Sequence, residues 1–409
     1  MNHPPDIAQP RAQSHRFVIL LALIGLLIAG GLWAYLRQLT IGIGVTGLGR
    51  DVTWGLYIAQ FTFAEGLAAS ALVVLLPLSL HQAAELRPLA LFAVLVSIAA
   101  VCTCLLFILM DLGQPSRVFN VLLHPTPSSL MFWDMVSLGG YLVINVVIAM
   151  AFLERRRTAM REPRWLRALV LLSLPWGFAV HTVTAFLYSG MPGRSLWFTT
   201  ILAPRFIASA LAASAALMLL FSLLLERLGA IESGQRVRQR LGVVLAYALA
   251  ATLFCLLPEF FSTFYGRLPE QVTALTYLYG GLSEHSPLAA ASLLAVTLLL
   301  IALLLSLFAS ATRRETSRVV AAALTLAGIG IDKGFGLIIA GFVPTPLGAV
   351  PAYSPTGTEW LVVGGVWGIG ALIVVVSFRV ALESNATPGA PLRKQPAAEP
   401  PQAVGSPPA

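Results

Sequence analysis

The chain has 409 residues, of which 57% are hydrophobic and 11% are charged, and its mean hydropathy is +0.83. A water-soluble protein of this length cannot bury so large an apolar fraction, so the composition excludes a soluble globular protein and indicates a polytopic membrane protein. The formal net charge of +8 would suit a nucleic-acid partner. The basic residues, however, are concentrated in alternate loops, which is a signature of membrane topology, and we expect no nucleic-acid binding.

Ten apolar stretches are long enough to cross a bilayer, because a helical span needs about 20 apolar residues. Strands are excluded, since the stretches are continuously apolar and do not alternate. The sequence therefore predicts an all-α protein with spans near residues 17–36, 55–80, 88–110, 130–153, 166–188, 204–226, 241–264, 288–311, 318–341 and 358–382. We expect one ten-helix transmembrane domain over residues 17–382, an N-terminal tail at 1–16 and a disordered Pro/Ala-rich tail at 383–409.

The loops differ strongly in charge between the two sides of the predicted bundle. Both termini and the loops on their side contain 18 Lys and Arg residues, whereas the loops on the opposite side, together with the adjoining span ends, contain 6. The positive-inside rule then places both termini in the cytoplasm. We expect a multi-pass protein of the bacterial inner (plasma) membrane, surrounded by the lipid bilayer, with its longer loops on the periplasmic side.

Polar residues gather in the predicted outer half of the membrane. Glu65, His181 and Asp332 lie roughly two to three turns inside the outer ends of their spans, and Asp134 lies about one turn inside. A charge at the bilayer centre costs at least ~2.5–3.5 kcal/mol, so such residues are paired or face a wet cavity. A lone buried acid or histidine can also serve packing by binding a neighbouring helix, but a cluster in one leaflet favours a functional site.

Asp332 and Lys333 are adjacent within the ninth span. Neighbouring helical residues point about 100° apart, so the two side chains should contact different helices. We predict Arg205 as the partner of Asp332. Three carboxylates are candidates to neutralise Lys333: Glu65, Asp111 and Asp134.

Two helical stripes combine aromatic and hydrogen-bonding groups. His181, Thr184 and Tyr188 recur on one face of the fifth span, and Tyr57 and Glu65 share a face of the second span. A cavity with apolar walls, a few convergent polar groups and an acid–base residue suits a flat ring with two carbonyls, such as a quinone head. A histidine, with an ordinary pKa near 6.5, suits the accompanying proton exchange. Plain packing is the alternative for the aromatic residues.

Residues for a bound electron carrier are scarce. Of the six histidines, only His181 lies well inside a span, whereas a transmembrane haem usually needs two facing histidines. The three cysteines lie in apolar runs without metal-site spacing, and no dinucleotide or P-loop motif is present. We therefore expect no haem or iron–sulfur cluster in this chain, so a redox role would require an external partner. The long Gly-, Pro- and aromatic-rich outer loops are the predicted docking surface.

Four segments resemble the NrfD/PsrC family, the polysulfide-reductase-type membrane subunits, over about residues 17–382. They read GLGRDVTWGLYIAQFTFAEGLAAS, DLGQPSRVFN, HTVTAFLYSGMPGRSLWFTTILAPRFIASA and IDKGFGLIIAGFVPTPLG followed by YSPTGTEW. The ten spans are similar to the DsrP/HybB branch, with DsrP, from a sulfite-reduction-associated complex, the nearer. The resemblance implies a subunit without cofactors of its own that exchanges electrons between menaquinone or ubiquinone and a periplasmic ferredoxin-like iron–sulfur subunit. A multihaem cytochrome c and further membrane or cytoplasmic redox subunits are also implied.

The resemblance also implies site residues by motif, and the helical stripes add Tyr57 and Tyr188, while Lys333 is added as a charge inside the ninth span. We assign acid–base chemistry to His181, Glu65, Asp134 and Asp332. The candidate quinone-binding residues are Arg50, Asp51, Tyr57, Asp111, Tyr188, Arg205 and Lys333.

Two rival functions remain open at the level of the sequence. A secondary transporter or proton-conducting protein also holds charges in the membrane, usually near the midplane at an interface between structural repeats. No clear repeat is visible here, but the Gly-rich ninth span fits a broken helix. The other rival is a structural membrane anchor without quinone chemistry.

Overall fold

A computed structural model describes residues 9–158, 163–229, 231, 234–280, 288–312 and 314–383. The predicted C-terminal tail lies outside these residues apart from Glu383. The predicted N-terminal tail is partly helical, because the first helix begins at Gln9 rather than at the start of the apolar run.

The described residues form helices and connecting turns, without a strand. The α-helices are α1 (Gln9–Ile41), α2 (Leu56–Leu67), α3 (Ser70–Leu80), α4 (Ala90–Asp111), α5 (Asn120–Leu123), α6 (Leu130–Thr158), α7 (Arg164–Ser189), α8 (Leu202–Arg227), α9 (Gly234–Gly266), α10 (Pro269–Tyr279), α11 (Ala289–Thr312), α12 (Glu315–Ile331), α13 (Leu337–Ala340) and α14 (Gly357–Glu383). Short 3-10 turns lie at Ile43–Val45, Ala84–Leu89 and Pro115–Arg117, and a π-helical turn lies at Asp332–Gly336.

In the described part of the chain, ten helical segments are long and apolar enough to cross a membrane, which confirms the predicted fold class and span number. They are Phe17–Ile41, Leu56–Leu80, Ala84–Asp111, Leu130–Thr158, Arg164–Ser189, Leu202–Arg227, Gly234–Gly266, Ala289–Ser310, Glu315–Ala340 and Gly357–Glu383, numbered here as the first to tenth spans. Several spans run beyond the apolar stretches because polar residues continue the helix past the bilayer. The end of the bundle that carries the connections after the first, third, fifth, seventh and ninth spans is called the loop end, and the opposite end is called the basic end.

The spans are arranged as two four-helix bundles. The second to fifth spans pack in a ring, and the sixth to ninth spans pack in an equivalent ring. The two bundles meet where the second and fifth spans contact the sixth, and where the second contacts the π-helical turn of the ninth. The sequence shows no matching repeat, because two bundles can have the same arrangement of neighbouring helices without having the same residues at equivalent positions.

The first span pairs with the tenth span, and the tenth packs against the third. Their backbones approach closely at Gly31 and Gly365, where a Cβ on Gly31 would lie 2.5 Å from the Cα of Gly365. Small residues at a crossing allow helices in a bilayer to gain van der Waals contact.

The second span is broken at Ala68–Ala69, between α2 and α3. A break frees carbonyl groups that need partners, since no water is available in the hydrocarbon region. Serine hydroxyls supply them: Ser214 donates to Gly66 O at 2.9 Å, and Ser97 donates to Ala68 O at 2.7 Å. The second span therefore changes from one helical segment to the next just after Glu65.

The ninth span contains the second irregularity. The amide of Leu337 donates to Asp332 O, five residues earlier, which defines the π-helical turn. Such turns frequently lie at functional sites. Gln60 of the second span donates to Gly334 O at 3.2 Å and accepts from Trp367 Nε1 at 3.0 Å. The turn is therefore tied to the first bundle and to the tenth span.

Candidate functional site in the loop-end half

A buried acid–histidine cluster, defined here as Glu65, His181, Asp134 and Thr184, lies inside the first bundle. His181 Nδ1 is 2.5 Å from Glu65 Oε1, and both side chains are buried. The carboxylate favours the tautomer with the proton on Nδ1. Neither Glu65 Oε2 nor His181 Nε2 has a hydrogen-bond partner among the described residues. Two reactive atoms are thus left available in a dry environment.

The predicted stripe of the fifth span faces this cluster. Thr184 donates to Asp134 Oδ1 at 2.7 Å, so the fourth and fifth spans are joined one turn nearer the loop end. Tyr188, one further turn along, shares a 2.7 Å hydrogen bond with Thr62 of the second span. The structure therefore brings the predicted stripe residues to one interior face, and each of them has a polar partner.

The second bundle contains an arginine triad, defined as Arg205, Glu259 and Asp332. Arg205 Nη1 donates to Glu259 Oε2 at 2.8 Å, and Nη2 donates to both Asp332 oxygens at 2.9 and 3.1 Å. The predicted pair of Arg205 and Asp332 is present, and Glu259 supplies the second carboxylate. Tyr279 of α10, outside the spans, lies beside the triad, and burial raises the pKa of its phenol.

Lys333 differs from the prediction. Its Nζ lies 3.9 Å from the centre of the Phe206 ring and 3.5 Å from Phe206 O. Within the described part of the chain it forms no direct ion pair with a carboxylate. Of the three predicted carboxylates, Glu65 interacts with it electrostatically, but from beyond contact distance. A ring face and a carbonyl are the groups in direct contact with the ammonium.

The two neighbouring charges of the ninth span also do not contact different helices. Asp332 binds Arg205 and Lys333 contacts Phe206, so both reach the first turn of α8. The prediction assumed a regular helix, whereas these residues begin the π-helical turn. Arg205 and Phe206 are themselves adjacent, so the two pairs lie side by side between the bundles.

A network at the loop end of the first span is defined here by Gln38, Tyr57 and Met110. Tyr57 OH donates to Gln38 Oε1 at 2.7 Å, and Gln38 Nε2 donates to Met110 O at 2.8 Å. Asp111, the next residue, has a buried Oδ1 without a hydrogen-bond partner among the described residues. Tyr57 and Asp111 therefore lie close to each other, on the side of the second span that faces the first.

Glu359 holds the loops above this network. Its carboxylate accepts from Tyr353 OH at 2.6 Å and from the amides of Gly47 and Thr356 at 2.8 Å each. Tyr353 in turn accepts from the Leu56 amide at 2.7 Å, at the first residue of α2. Burial, followed by the interaction with Glu359, raises the pKa of Tyr353.

A buried aromatic group closes the loop end of the interior. Trp197, in the connection after the fifth span, is fully buried and donates to Leu337 O at 2.8 Å. Its ring lies 5.2 Å from that of Tyr188 and 5.3 Å from that of Phe342, measured between centroids. The connection therefore joins the fifth span to the end of the ninth.

Arg50 and Asp51 lie outside these clusters. Both are exposed in the loop after the first span, so the structure does not bring them to the buried groups with which they were predicted to act. Their charges remain hydrated at the surface, which costs less than burial. Asp51 interacts electrostatically with Arg194, whose guanidinium pKa is lowered by partial burial.

Several interior residues escaped the sequence reasoning: Gln38, Gln60, Thr62, Trp197 and Tyr353; Glu359 was noted only as a charge at the outer end of its span. Neutral polar residues in apolar runs are common, so nothing distinguished the first three. Trp197, Tyr353 and Glu359 lie in or beside loops, and only the fold shows that these segments turn inward. A polar residue on the same helical stripe as a charge, such as Thr62 beside Glu65, is the one available signal.

Comparison with known proteins agrees with this architecture. Residues 44–345 match the family described as polysulphide reductase, NrfD. The chain belongs to this family. The match covers most of the chain and every member of the three buried clusters except Gln38.

Three relatives of the NrfD-type chain are subunits of reductases or oxidoreductases by name. It is 29% identical, over 90% of its length and 92% of the relative, to a putative membrane subunit of dimethyl sulfoxide reductase from Halobacterium salinarum. It is 25% identical, over 62% of its length and 67% of the relative, to a subunit of selenate reductase from Mesobacillus selenatarsenatis. It is 24% identical, over 50% of its length and 50% of the relative, to an Hdr-like menaquinol oxidoreductase integral membrane subunit from Archaeoglobus fulgidus.

Proposed function

We propose that this chain is the quinone-interacting membrane subunit of a redox complex. It exchanges electrons between menaquinone or ubiquinone and a redox subunit that docks on the loop end. The acid–histidine cluster carries the proposal, because Glu65 Oε2 and His181 Nε2, two buried acid–base atoms of one hydrogen-bonded pair, both lack partners among the described residues. Buried polar atoms are usually hydrogen-bonded, so unpaired ones indicate a ligand, water or proton-transfer role. The name of the Archaeoglobus relative, a menaquinol oxidoreductase subunit, points to the same chemistry.

The cluster suits the proton part of quinone chemistry. Interconversion of quinone and quinol moves two electrons and two protons, and the protons need acid–base groups near the ring. His181 with Glu65 forms one such pair, and Asp134 with Thr184 offers a second carboxylate one turn away. Lys333 contacts the Phe206 ring and carbonyl rather than a carboxylate, and it places a positive charge where the ninth span meets the second. This charge would stabilise negative charge that develops on a ring oxygen, whereas the charge of Arg205 is already neutralised by Glu259 and Asp332.

The loop end is the proposed docking surface for the electron partner. The sequence motifs favour a periplasmic ferredoxin-like iron–sulfur subunit, with a multihaem cytochrome c as a further component. The charge asymmetry of the loops supports cytoplasmic termini and a periplasmic loop end in a bacterial inner membrane. The likeness to the DsrP/HybB branch favours a role in sulfur metabolism.

Proton conduction is a second candidate, favoured by the broken second span. The hydroxyls of Ser70, Ser97 and Ser214 and the carbonyls that they bind lie on the basic-end side of Glu65. Still nearer that end, Asn145 Oδ1 is buried without a hydrogen-bond partner among the described residues. These groups would extend a proton path from the cluster, and they are compatible with quinone chemistry in the same chain.

The test is quinone binding to the purified intact complex, measured by quenching of a fluorescent quinol analogue. His181→Gln should weaken saturable binding about tenfold or more, since it removes an acid–base group and leaves the Glu65 carboxylate buried without its partner. His81→Gln, exposed in the connection after the second span at the basic end, is the matched control and should bind as the parent does. Equal binding by both variants in a folded complex would assign the cluster to structure. An absence of saturable binding in the parent would favour a membrane anchor.

A further inference from the structure

An apolar groove runs along the outside of the bundle between the first, third and tenth spans. Its bottom lies where Gly31 and Gly365 cross, because the backbones of the first and tenth spans are in close contact there and neither residue carries a side chain into the groove. Its walls are apolar and are formed by Ile28, Leu32, Leu106, Val362, Val366 and Ile369. Leu32 is 56% exposed, so the groove opens toward the hydrocarbon of the bilayer. It therefore suits a hydrocarbon chain.

The loop end of the groove becomes polar. Tyr35 and Met110 line it there, and the Tyr35 hydroxyl is buried without a hydrogen-bond partner among the described residues. Gln38, one turn along the same helix, binds Met110 O at 2.8 Å. Asp111, which follows Met110, has the buried unpartnered Oδ1. An unpaired donor and an unpaired acceptor thus flank the same contact between the first and third spans.

These two atoms define the chemistry of a head group. A tyrosine hydroxyl donates to a carbonyl oxygen, and a carboxylate accepts from a hydroxyl. An anionic phosphate is disfavoured, because the Asp111 and Glu359 carboxylates both act electrostatically on Tyr57 beside the groove and would repel it. The fitting ligand has a neutral head with carbonyl or hydroxyl oxygens on a long apolar chain, which is the description of a prenylated quinone.

We propose that a prenylated quinone enters this chain through the groove between the first, third and tenth spans, with its tail along Gly31 and Gly365 and a ring oxygen bound by Tyr35. This inference rests on the proposed function and adds the entry side to it. The ring would then lie beside Tyr57, about two helical turns from Glu65 on the second span. The groove on the first-span side of this helix and the acid–histidine cluster on its fifth-span side would therefore be the two ends of one path around the second span.

The experiment labels the intact complex in lipid vesicles with a prenylated naphthoquinone that carries a photoreactive group on its first isoprene unit. Peptide mass spectrometry then locates the label. We expect label on the first, third or tenth span, and loss of label with excess unlabelled prenylated quinone. Leu106→Trp, which fills the groove, should reduce this label about fivefold or more. Tyr35→Phe should weaken binding roughly five- to tenfold, the effect of one neutral hydrogen bond.

Two matched variants control for general effects on the membrane surface. Leu304→Trp and Tyr247→Phe change residues that are 66% and 76% exposed on other spans, and both should label as the parent does. Saturable label confined to the fourth and fifth spans would overturn the groove and leave the proposed function standing. No saturable label anywhere would overturn both. A phospholipid that carries the same photoreactive group is the last comparison. If it labels the groove as strongly as the quinone does and competes with the quinone for it, the groove binds bilayer lipid and is not a quinone entry.

Discussion

The arginine triad gives the sharpest prediction on stability. Arg205→Met removes the one cation that binds two buried carboxylates: Glu259 is 7% exposed, and the Asp332 side chain is 14% exposed. Removing one partner of a buried ion pair costs about 3–5 kcal/mol, because the remaining charge is left without compensation. We expect the free energy of unfolding to fall by about that amount. Arg50→Met, at an exposed loop position, should change it by less than about 0.5 kcal/mol.

The double-mutant cycle with Asp332→Asn tests the mechanism. Alone, Asp332→Asn leaves the Arg205–Glu259 pair intact, so it should cost about 1–2 kcal/mol. In the Arg205→Met background, Asp332→Asn removes a buried negative charge that has lost its cation, so it should raise the free energy of unfolding. The coupling energy between the two substitutions should then be at least about 1 kcal/mol. Unfolding in mixed detergent–SDS micelles, followed by tryptophan fluorescence, measures each free energy. Additivity within about 0.5 kcal/mol would refute the triad as an energetic unit.

Two further predictions concern the loop end. Gly341→Ala places a Cβ 1.9 Å from Cε2 of the buried Trp197 ring, and overpacking should lower the free energy of unfolding by about 1–3 kcal/mol. Gly139→Ala, where no heavy atom lies within 4 Å of the added Cβ, should not; equal stabilities of the two would contradict the packing argument. Burial raises the pKa of the Tyr353 phenol in the folded chain, so the folded chain keeps this proton above about pH 10, where an unfolded tyrosine loses it. The free energy of unfolding therefore falls above about pH 10, by up to about 1.4 kcal/mol for each pH unit. Tyr353→Phe should flatten the decline measured by thermal unfolding from pH 9 to 11, whereas Tyr265→Phe, 79% exposed, should leave it as steep as in the parent.

The span count, the helical class and the family were all predictable from the sequence. A helix needs about 20 apolar residues to cross a bilayer, and apolar stretches of that length can be counted directly in the sequence. The same argument located the buried charges, because an acid or a base in such a stretch is costly and therefore conspicuous. The predicted pairing of Arg205 with Asp332 is present in the structure.

The partners of other interior residues were not predictable. Lys333 was expected to meet a carboxylate, but the π-helical turn directs it to the Phe206 ring. A single extra residue in one helical turn changes the direction of every side chain that follows, and no sequence period records it. The pairing of Glu65 with His181 likewise depends on how the second and fifth spans are rotated within the bundle.

The sequence by itself determined that ten helices cross a membrane and that the acids, the histidine and the bases lie toward one face. Both follow from local quantities: the length of apolar runs and the cost of a charge in hydrocarbon. Only the tertiary structure decided that these residues form separate clusters in two bundles, that Arg50 and Asp51 stay at the surface, and that a groove opens beside Tyr35. Those outcomes depend on which helix faces which, and helix rotation and neighbour choice arise from packing over the whole chain.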